Sequence, residues 1–444
     1  MYGLKIAAFL PIVITLAGAY FLVRLRAFFI FHPVRTLKLT LASFGAQPKR
    51  SAKALSLALA GTLGVGNITG VAVGIMVGGA GSVFWLLVSA VFAAVLKYSE
   101  SVLTVDDMKT SSSSHGGMMH LIKRSFGKGS RPLSLLYSAI CMTLAFFMGA
   151  ALQSNTVAMT VAAYIPIQLV WIAVFSAVLT FIAVKRGGDR IEKITLVIIP
   201  LTTIIYILMS LCVIFAHFER ISDVVLLIFR SAFTTTSTAG GVIGFITSRC
   251  IFEGYARGIL SNEAGAGTST LAHSRNGSTT PCREGALGMC EVLFDTVILC
   301  MLTAFVILLS VDSPEEYGSA MTLVYDAFSS ILGGAFRPLL IFSILSFAFS
   351  TIICWYYYGE ECSLFLFGTR AKSLYLLTFI AFVALGVYFD TLSIVAVTDV
   401  LLLLLSIICV ITLIKNSDRV VTLSESENVI SKRVALKERV RRRR

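Results

Sequence analysis

Apolar residues run along this chain in blocks of about twenty, the length that carries a helix across a bilayer. Eleven such blocks lie at 3–23, 55–78, 82–104, 133–159, 166–184, 192–216, 223–248, 286–310, 337–358, 373–389 and 393–414, with short polar links between them. Two of them are interrupted. "GTLGVGNITG", Gly61–Gly70, puts four glycines inside the second block, where each costs a helix about 1 kcal/mol relative to alanine. "RSAFTTTSTAGGVIG", Arg230–Gly244, leads through a run of hydroxyl residues to Gly240 and Gly241 in the seventh. With the first block set aside, the interruptions fall at the first and sixth of ten. Interrupted helices at matching positions point to an inverted-repeat transporter with its binding site at mid-membrane. No clear sequence identity links the two halves. Unwound backbone at membrane depth is tolerated where it lines a cavity or is buried in protein. There, half-helix N-termini offer N–H groups to an anion and freed carbonyls offer oxygens to a cation. The alternative is that glycines such as Gly74, Gly78 and Gly79 only permit tight helix packing.

Composition agrees with the pattern. Of 444 residues, 57% are hydrophobic and 14% charged, and the mean hydropathy of +0.87 leaves no soluble domain between the blocks. The net charge of +13 would suit nucleic acid, so its placement matters. With the C-terminus in the cytoplasm, the inside loops are 24–53, 105–132, 185–191, 249–285, 359–372 and the tail. These loops and the adjoining helix ends hold about 32 of the 37 Lys and Arg, the positive-inside asymmetry. The basic excess therefore records topology, with the N-terminus outside, and not a nucleic-acid partner. The opposite face has short links such as "GGAGS" and the acidic "DSPEEY". The charge-dense tail from Lys415 is expected to stay solvated. The nine cysteines lack CxxC or CxxH spacing and are expected as reduced core residues. The first block is about twenty residues long and is followed by Arg24 and Arg26, which fits a retained helix.

Candidate chemistry lies in and beside the spans. "NEAGAGTSTLAH", Asn262–His273, lacks the Gly-Lys-Ser/Thr ending of a phosphate loop; in it, Glu263 either pairs with Arg257 as a gate charge or caps an interfacial helix. Asp295 sits about ten residues into the eighth block. An ionisable group at that depth either relays a proton or cation or fixes the bundle by hydrogen bonding. Ser350 and Thr351 place two hydroxyls at consecutive positions, with Trp355 one turn on from Thr351. Such hydroxyls suit a monovalent ion, but in membrane helices they also bond their own backbone. Gln153 and Asn155 are amides within the fourth block and need partners there. No G-x-S-x-G, H-E-x-x-H or Cys/His pair is present, and the five histidines lie at loops or span ends, so an intramembrane enzyme is not expected.

These residues resemble the alanine/glycine:cation, or sodium:alanine, symporters. The resemblance rests on "GVGNITGVAVGIMVGGAGSVFWLLVSAVFAAVLKYSE", "GILSNEAGAGTSTLAH", "FDTVILCMLTAFVIL" and "FAFSTIICWYYYGE", with weaker support from "LQSN" and "SAF…GG". It implies an all-α membrane protein of about eleven helices, a LeuT-type 5+5 inverted repeat preceded by one extra helix. The divisions would be 1–54 (first helix and basic linker), 55–216 and 217–414 (the repeats), and 415–444 (tail). It further implies Na+-driven, or sometimes H+-driven, uptake of alanine or glycine across a bacterial inner membrane, with no cofactor. Thr62, Gly64, Gly66 and Asn67 would cradle substrate and ion, and Gln153 would contact substrate. Phe233, Gly240 and Gly241 would belong to the second broken helix, and Trp355 would wall a small side-chain pocket. Ser350 and Thr351, with carbonyls near Gly61–Gly64, would coordinate Na+, leaving Asp295 and Glu263 as gating or coupling candidates. The chain departs from the family where a "GGPG" turn reads "GGAG", so that position 80 is not proline. It departs also where "GSAP" reads "GTST", where "GGPxYY" is reduced to "GGMMH" at Gly116–His120, and in the last span, where Asp399 survives without its neighbours.

Overall fold

The computed structural model describes residues 9–46, 48–111, 116–233, 249–276, 280–427 and 429. Among them the secondary structure is helical, without strands. In chain order the main helices are α1 (Phe9–Arg24), α2 (Pro33–Ala46), α3 (Pro48–Thr62), α4 (Thr69–Gly78), α5 (Ser82–Ser111), α6 (Met118–Ser125), α7 (Ser130–Ala162), α8 (Leu169–Val184), α9 (Gly188–Ala216) and α10 (Ile221–Phe233). They continue as α11 (Arg249–Asn262), α12 (Pro281–Ser310), α13 (Ala320–Leu332), α14 (Arg337–Phe367), α15 (Lys372–Gly386), α16 (Thr391–Lys415) and α17 (Ser417–Ser426). Among the described residues seven helices are long and apolar enough to cross a membrane, and eight when the bent pair of α3 with Val65–Gly78 is taken as one span. The chain is a multi-pass membrane protein.

Its surface is apolar and its interior partly polar. Along α9, Val197, Leu201, Ile204 and Leu208 are exposed at spacings of one turn, while Thr195, Thr202, Tyr206 and Ser210 are buried. In a bilayer, apolar side chains gain nothing by turning inward, so helices associate through small and polar groups. Helix α5 is the hub, packing most extensively on α12 and α11. The approach is close enough that Cβ atoms added at Gly254 and Gly258 of α11 would meet Ser82 and Ser89, and at Gly285 and Gly288 of α12 would meet Tyr98 and Ser101. The turn from α4 into α5 forms without proline at position 80 because Gly79 takes φ 75°.

Three segments differ from the sequence expectation. The linker expected at 24–53 contains α2, which turns Thr40 and Ser43 onto α12. The link after "DSPEEY" contains α13, whose Met321, Leu323, Val324, Ala327 and Phe328 recur at helical spacing and are buried. The tail expected to be solvated begins as α17, with Val420, Val421 and Ser424 buried and Ser424 Oγ 2.8 Å from the Tyr98 hydroxyl. Each of these helices is amphipathic and too short or too polar to register as a span.

Candidate functional site

The span interrupted by glycines does break. α3 and the stretch after it meet at 64°, across Leu63 and Gly64 and a single 3-10 turn at Val65–Asn67. At a break the i→i−4 ladder leaves groups that must find partners elsewhere. The Gly64 N–H turns back to the Thr62 carbonyl at 2.8 Å, so the Ala60 carbonyl takes the Thr351 hydroxyl instead, at 3.0 Å. The Val65 N–H points at Oε1 of Gln153, 3.5 Å away. A Cβ placed on Gly64 would lie 3.0 Å from Thr351 Oγ1 and 3.5 Å from the Gln153 amide. Glycine is what lets α7 and α14 reach the break.

α14 meets the break through one stripe, Thr351, Cys354, Trp355 and Tyr358, spaced as i, i+3, i+4 and i+7. Cys354 Sγ donates to the Leu57 carbonyl at 3.1 Å, and the Tyr358 ring lies 3.1 Å from where a Gly61 Cβ would be. Trp355 is fully buried and stands edge-on to Tyr358 at 5.5 Å. Its Nε1 has no hydrogen-bond partner among the described residues. The indole rests against Gly149, where any Cβ would collide with it. Gly149 belongs to a π-helical segment of α7, Ala145–Leu152, which ends immediately before Gln153. A second π segment, Leu293–Cys300 in α12, carries Asp295. Such segments concentrate at functional sites because they widen the helix locally and re-aim side chains.

Asp295 is buried and held from three sides. It accepts from Asn67 Nδ2 at 2.6 Å, Ser261 Oγ at 2.6 Å and Thr296 Oγ1 at 2.8 Å. The Asn67 carbonyl takes the Thr303 hydroxyl at 2.9 Å. α4's entry turn is thereby tied to α11 and α12.

The expected residues therefore separate into groups. Gly61, Thr62, Gly64, Gln153, Thr351 and Trp355 lie together around the break, with Gly66 half-buried and facing open space. Thr62 Oγ1 and Ser350 Oγ both bond backward within their own helices, to Ala58 at 3.4 Å and Phe347 at 2.9 Å. Asn67 joins Asp295 instead of the break itself. Phe233 is 54% exposed at the end of α10 and packs on Phe84 and Trp85 at the protein surface. Gly240 and Gly241 lie outside the described residues. Arg257 does not pair with Glu263: it bonds Glu253 at 3.0 Å, one turn earlier on the same helix face. Asn155 is occupied too, donating to the carbonyls of Gly386 and Phe389 and accepting from Thr391.

Sequence reasoning missed a second polar cluster. Lys97 of α5 bonds Glu291 of α12 at 2.9 Å and Ser269 at 3.0 Å. His273 lies 2.7 Å from Glu284 and 3.3 Å from Glu291. Glu100 accepts from the Gly265 N–H at 2.7 Å, and Glu263 accepts from Thr268 at 2.6 Å. All six ionisable groups are buried. Burial alone would lower the His273 pKa, but its hydrogen bonds to Glu284 and Glu291 outweigh this and raise it to about 9. Burial raises Glu263 to about 8. The signal was present as Lys97 and Glu100 inside an apolar block, where ionisable residues are expensive. Their partners lie more than 160 residues away.

Comparison with known proteins places the chain among transporters. The sequence profile described as the sodium:alanine symporter family matches residues 2–432. The chain is 34% identical over 390 residues to an uncharacterized transporter of Haemophilus influenzae, covering 85% of this chain and 84% of that one. It is 31% identical over 340 residues to the sodium/alanine symporter AgcS of Methanococcus maripaludis, covering 74% and 73%. Among solved structures it resembles the Eremococcus coleocola manganese transporter, with a TM-score of 0.50, 14% identity and coverage of 82% and 77%. That likeness extends to the fold alone. Among the described residues no group of three His, Cys, Asp or Glu is arranged to hold a metal ion.

Proposed function

Because this chain belongs to the sodium:alanine symporter family, a family of transporters and not enzymes, we propose that it imports a small neutral amino acid, alanine or glycine, with Na+ by alternating access. The observation that carries the reading is the break between Thr62 and Val65, where neutral dipoles gather around the split backbone. The C-terminal end of α3 offers carbonyls to an ammonium, and the Val65–Asn67 turn offers N–H groups to a carboxylate. Gln153 and the Trp355 N–H, unpartnered among the described residues, stand beside them. A site without an ionised side chain at its centre suits a zwitterion of no net charge.

Thr62, Gly64, Gly66, Asn67, Gln153 and Trp355 bind the amino acid in this reading, with Trp355 limiting side-chain size. Thr351 and Ser350, with carbonyls of the Gly61–Gly64 region, take the Na+. The Thr351 hydroxyl and Ala60 carbonyl already lie 3.0 Å apart, and neutral oxygens suit a monovalent cation. Phe233, Gly240 and Gly241 belong to the second split span. The architecture is eleven spans in a LeuT-type 5+5 repeat after one extra helix, in a bacterial inner membrane, with the N-terminus outside and the C-terminus cytoplasmic. Asp295, which accepts from three donors, ties the Asn67 turn to α11 and α12 in this scheme.

Uptake of labelled alanine into proteoliposomes tests the reading. Accumulation is expected with an inward Na+ gradient and not when choline replaces Na+ at constant pH. Accumulation that survives the replacement overturns Na+ coupling, and equilibration without accumulation overturns symport.

A further inference from the structure

Helix α2 has three distinct faces. Thr40 and Ser43 turn toward α12, donating to the Ala286 carbonyl at 3.4 Å and the Arg283 carbonyl at 3.0 Å. Val34, Leu37 and Leu41 form a second face, 65%, 58% and 59% exposed. Arg35 and Lys38 form a third, exposed and without an ion pair among the described residues. An exposed apolar face beside a basic one is the pattern of a helix lying in the membrane interface, and the hydroxyl seam fixes its depth.

Beneath α2 a groove of about 510 Å³ runs between α5 and α12, lined by residues that include Phe29, Leu37, Ala90, Val91, Met289 and Val297. Along α12 the lining extends from Ala286 to Val297, about 16 Å at 1.5 Å per residue. The groove is almost wholly apolar and elongated along the helix axes, in the direction of an acyl chain. A second depression of about 380 Å³ adjoins it at Pro33 and is lined by His32, Arg35 and Lys38.

We propose that the groove binds one anionic phospholipid, its acyl chain between α5 and α12 beneath α2 and its headgroup on Arg35 and Lys38. The charge argument selects the lipid class. A zwitterionic headgroup gains little from two unpaired cations, whereas an anionic one is drawn to basic side chains at the interface. Occupancy also bears on the split span. Only Gln47 separates α2 from α3, and Ser51 Oγ donates to the Ser43 carbonyl at 2.8 Å. A lipid that clamps α2 therefore holds the first half of the broken helix at its depth.

The test reads lipid retention and not uptake, so it stands apart from the transport reading. The purified full-length chain in detergent is exposed to phosphatidylglycerol and phosphatidylcholine of matched acyl chains, and bound lipid is counted by native mass spectrometry. Phosphatidylglycerol is expected to be retained in preference. Arg35→Gln with Lys38→Gln, at exposed positions that leave packing intact, is expected to weaken phosphatidylglycerol about 30-fold, the worth of two basic side chains at an anionic surface. It should leave phosphatidylcholine unchanged. Val91→Trp, which fills the groove, is expected to reduce both lipids, with a thermal melt showing that the variant is folded. Equal retention of the two lipids by the unaltered protein overturns the headgroup assignment. Phosphatidylglycerol binding that survives both sets of substitutions overturns the site.

Discussion

The break at Thr62–Val65 and the cluster around Lys97 are both buried and polar, yet they are built from different chemistry. Around the break stand amides, hydroxyls, an indole and backbone dipoles, and the Trp355 N–H is left without a partner among the described residues. Around Lys97 stand full charges closed upon each other: Glu291 bridges Lys97 and His273, and His273 also holds Glu284. The two cations balance two carboxylates. Glu100 and Glu263 are in excess, and each keeps one oxygen without a hydrogen bond among the described residues. Neutral dipoles can wait for a ligand at small cost because their desolvation is modest, whereas an unpaired buried charge cannot. The first region is therefore suited to binding and the second to holding α5, α12 and the 263–273 connector in one arrangement.

The most severe way to break this comparison is to remove the central cation. Lys97→Met leaves Glu291 short of its closest partner and is expected to cost about 3–5 kcal/mol of stability, read as a large drop in the thermal unfolding midpoint in detergent. Adding Glu291→Gln should recover part of that loss. An unchanged midpoint would mean that the cluster holds no ionised pair.

At the break the expected damage is smaller and of another kind. Thr351→Val keeps the shape but strands the Ala60 carbonyl, at about 1–3 kcal/mol. It should raise the Na+ concentration needed for half-maximal uptake. A variant whose Na+ dependence is unchanged would detach Thr351 from the ion.

A pH series probes the charged region further, because Glu263 and His273 titrate above neutrality there. Glu263 and His273 both bind protons more tightly folded than unfolded, at about 8 against 4.5 and about 9 against 6.5. Their stabilising contribution is thus complete below the unfolded values and is lost as pH rises through about 8 and about 9. The thermal midpoint should fall between pH 6.5 and 9.5. A midpoint that rises over this window would reverse the assignment.

The smallest effect is expected of Glu263→Gln at about pH 4. A carboxyl with a pKa of about 8 folded and 4.5 unfolded is mostly protonated in both states there, so the amide should alter stability by no more than about 0.5 kcal/mol. It should also flatten the alkaline decline. A loss as large as that of Lys97→Met would show that Glu263 is ionised and paired.

Much of this was legible along the chain. Apolar blocks predict spans because the bilayer permits no unpaired backbone, and four glycines within one block mark the place where a helix parts. Thr351 and Trp355 shared a helical face on spacing alone. Gln153 and Asn155 looked equivalent, as two amides in one helix. The fold separated them, turning Gln153 toward the break and giving Asn155 to the backbone at Gly386 and Phe389. Helices α2, α13 and α17 escaped notice because each is stabilised by the surface on which it lies.

Local hydrophobicity and glycine placement act over one helix turn to one span, and so the class of protein, its multi-pass character and the first break follow from the order of residues. Partnership is set at long range. Lys97 meets Glu291 and Ser269, Asn67 meets Asp295, and Ala60 meets Thr351 only once the helices pack. The π segments that seat Trp355 and aim Asp295 likewise carry no pattern of their own. Which polar groups end paired, and which stay open to a ligand, depends on distances that no stretch of sequence contains.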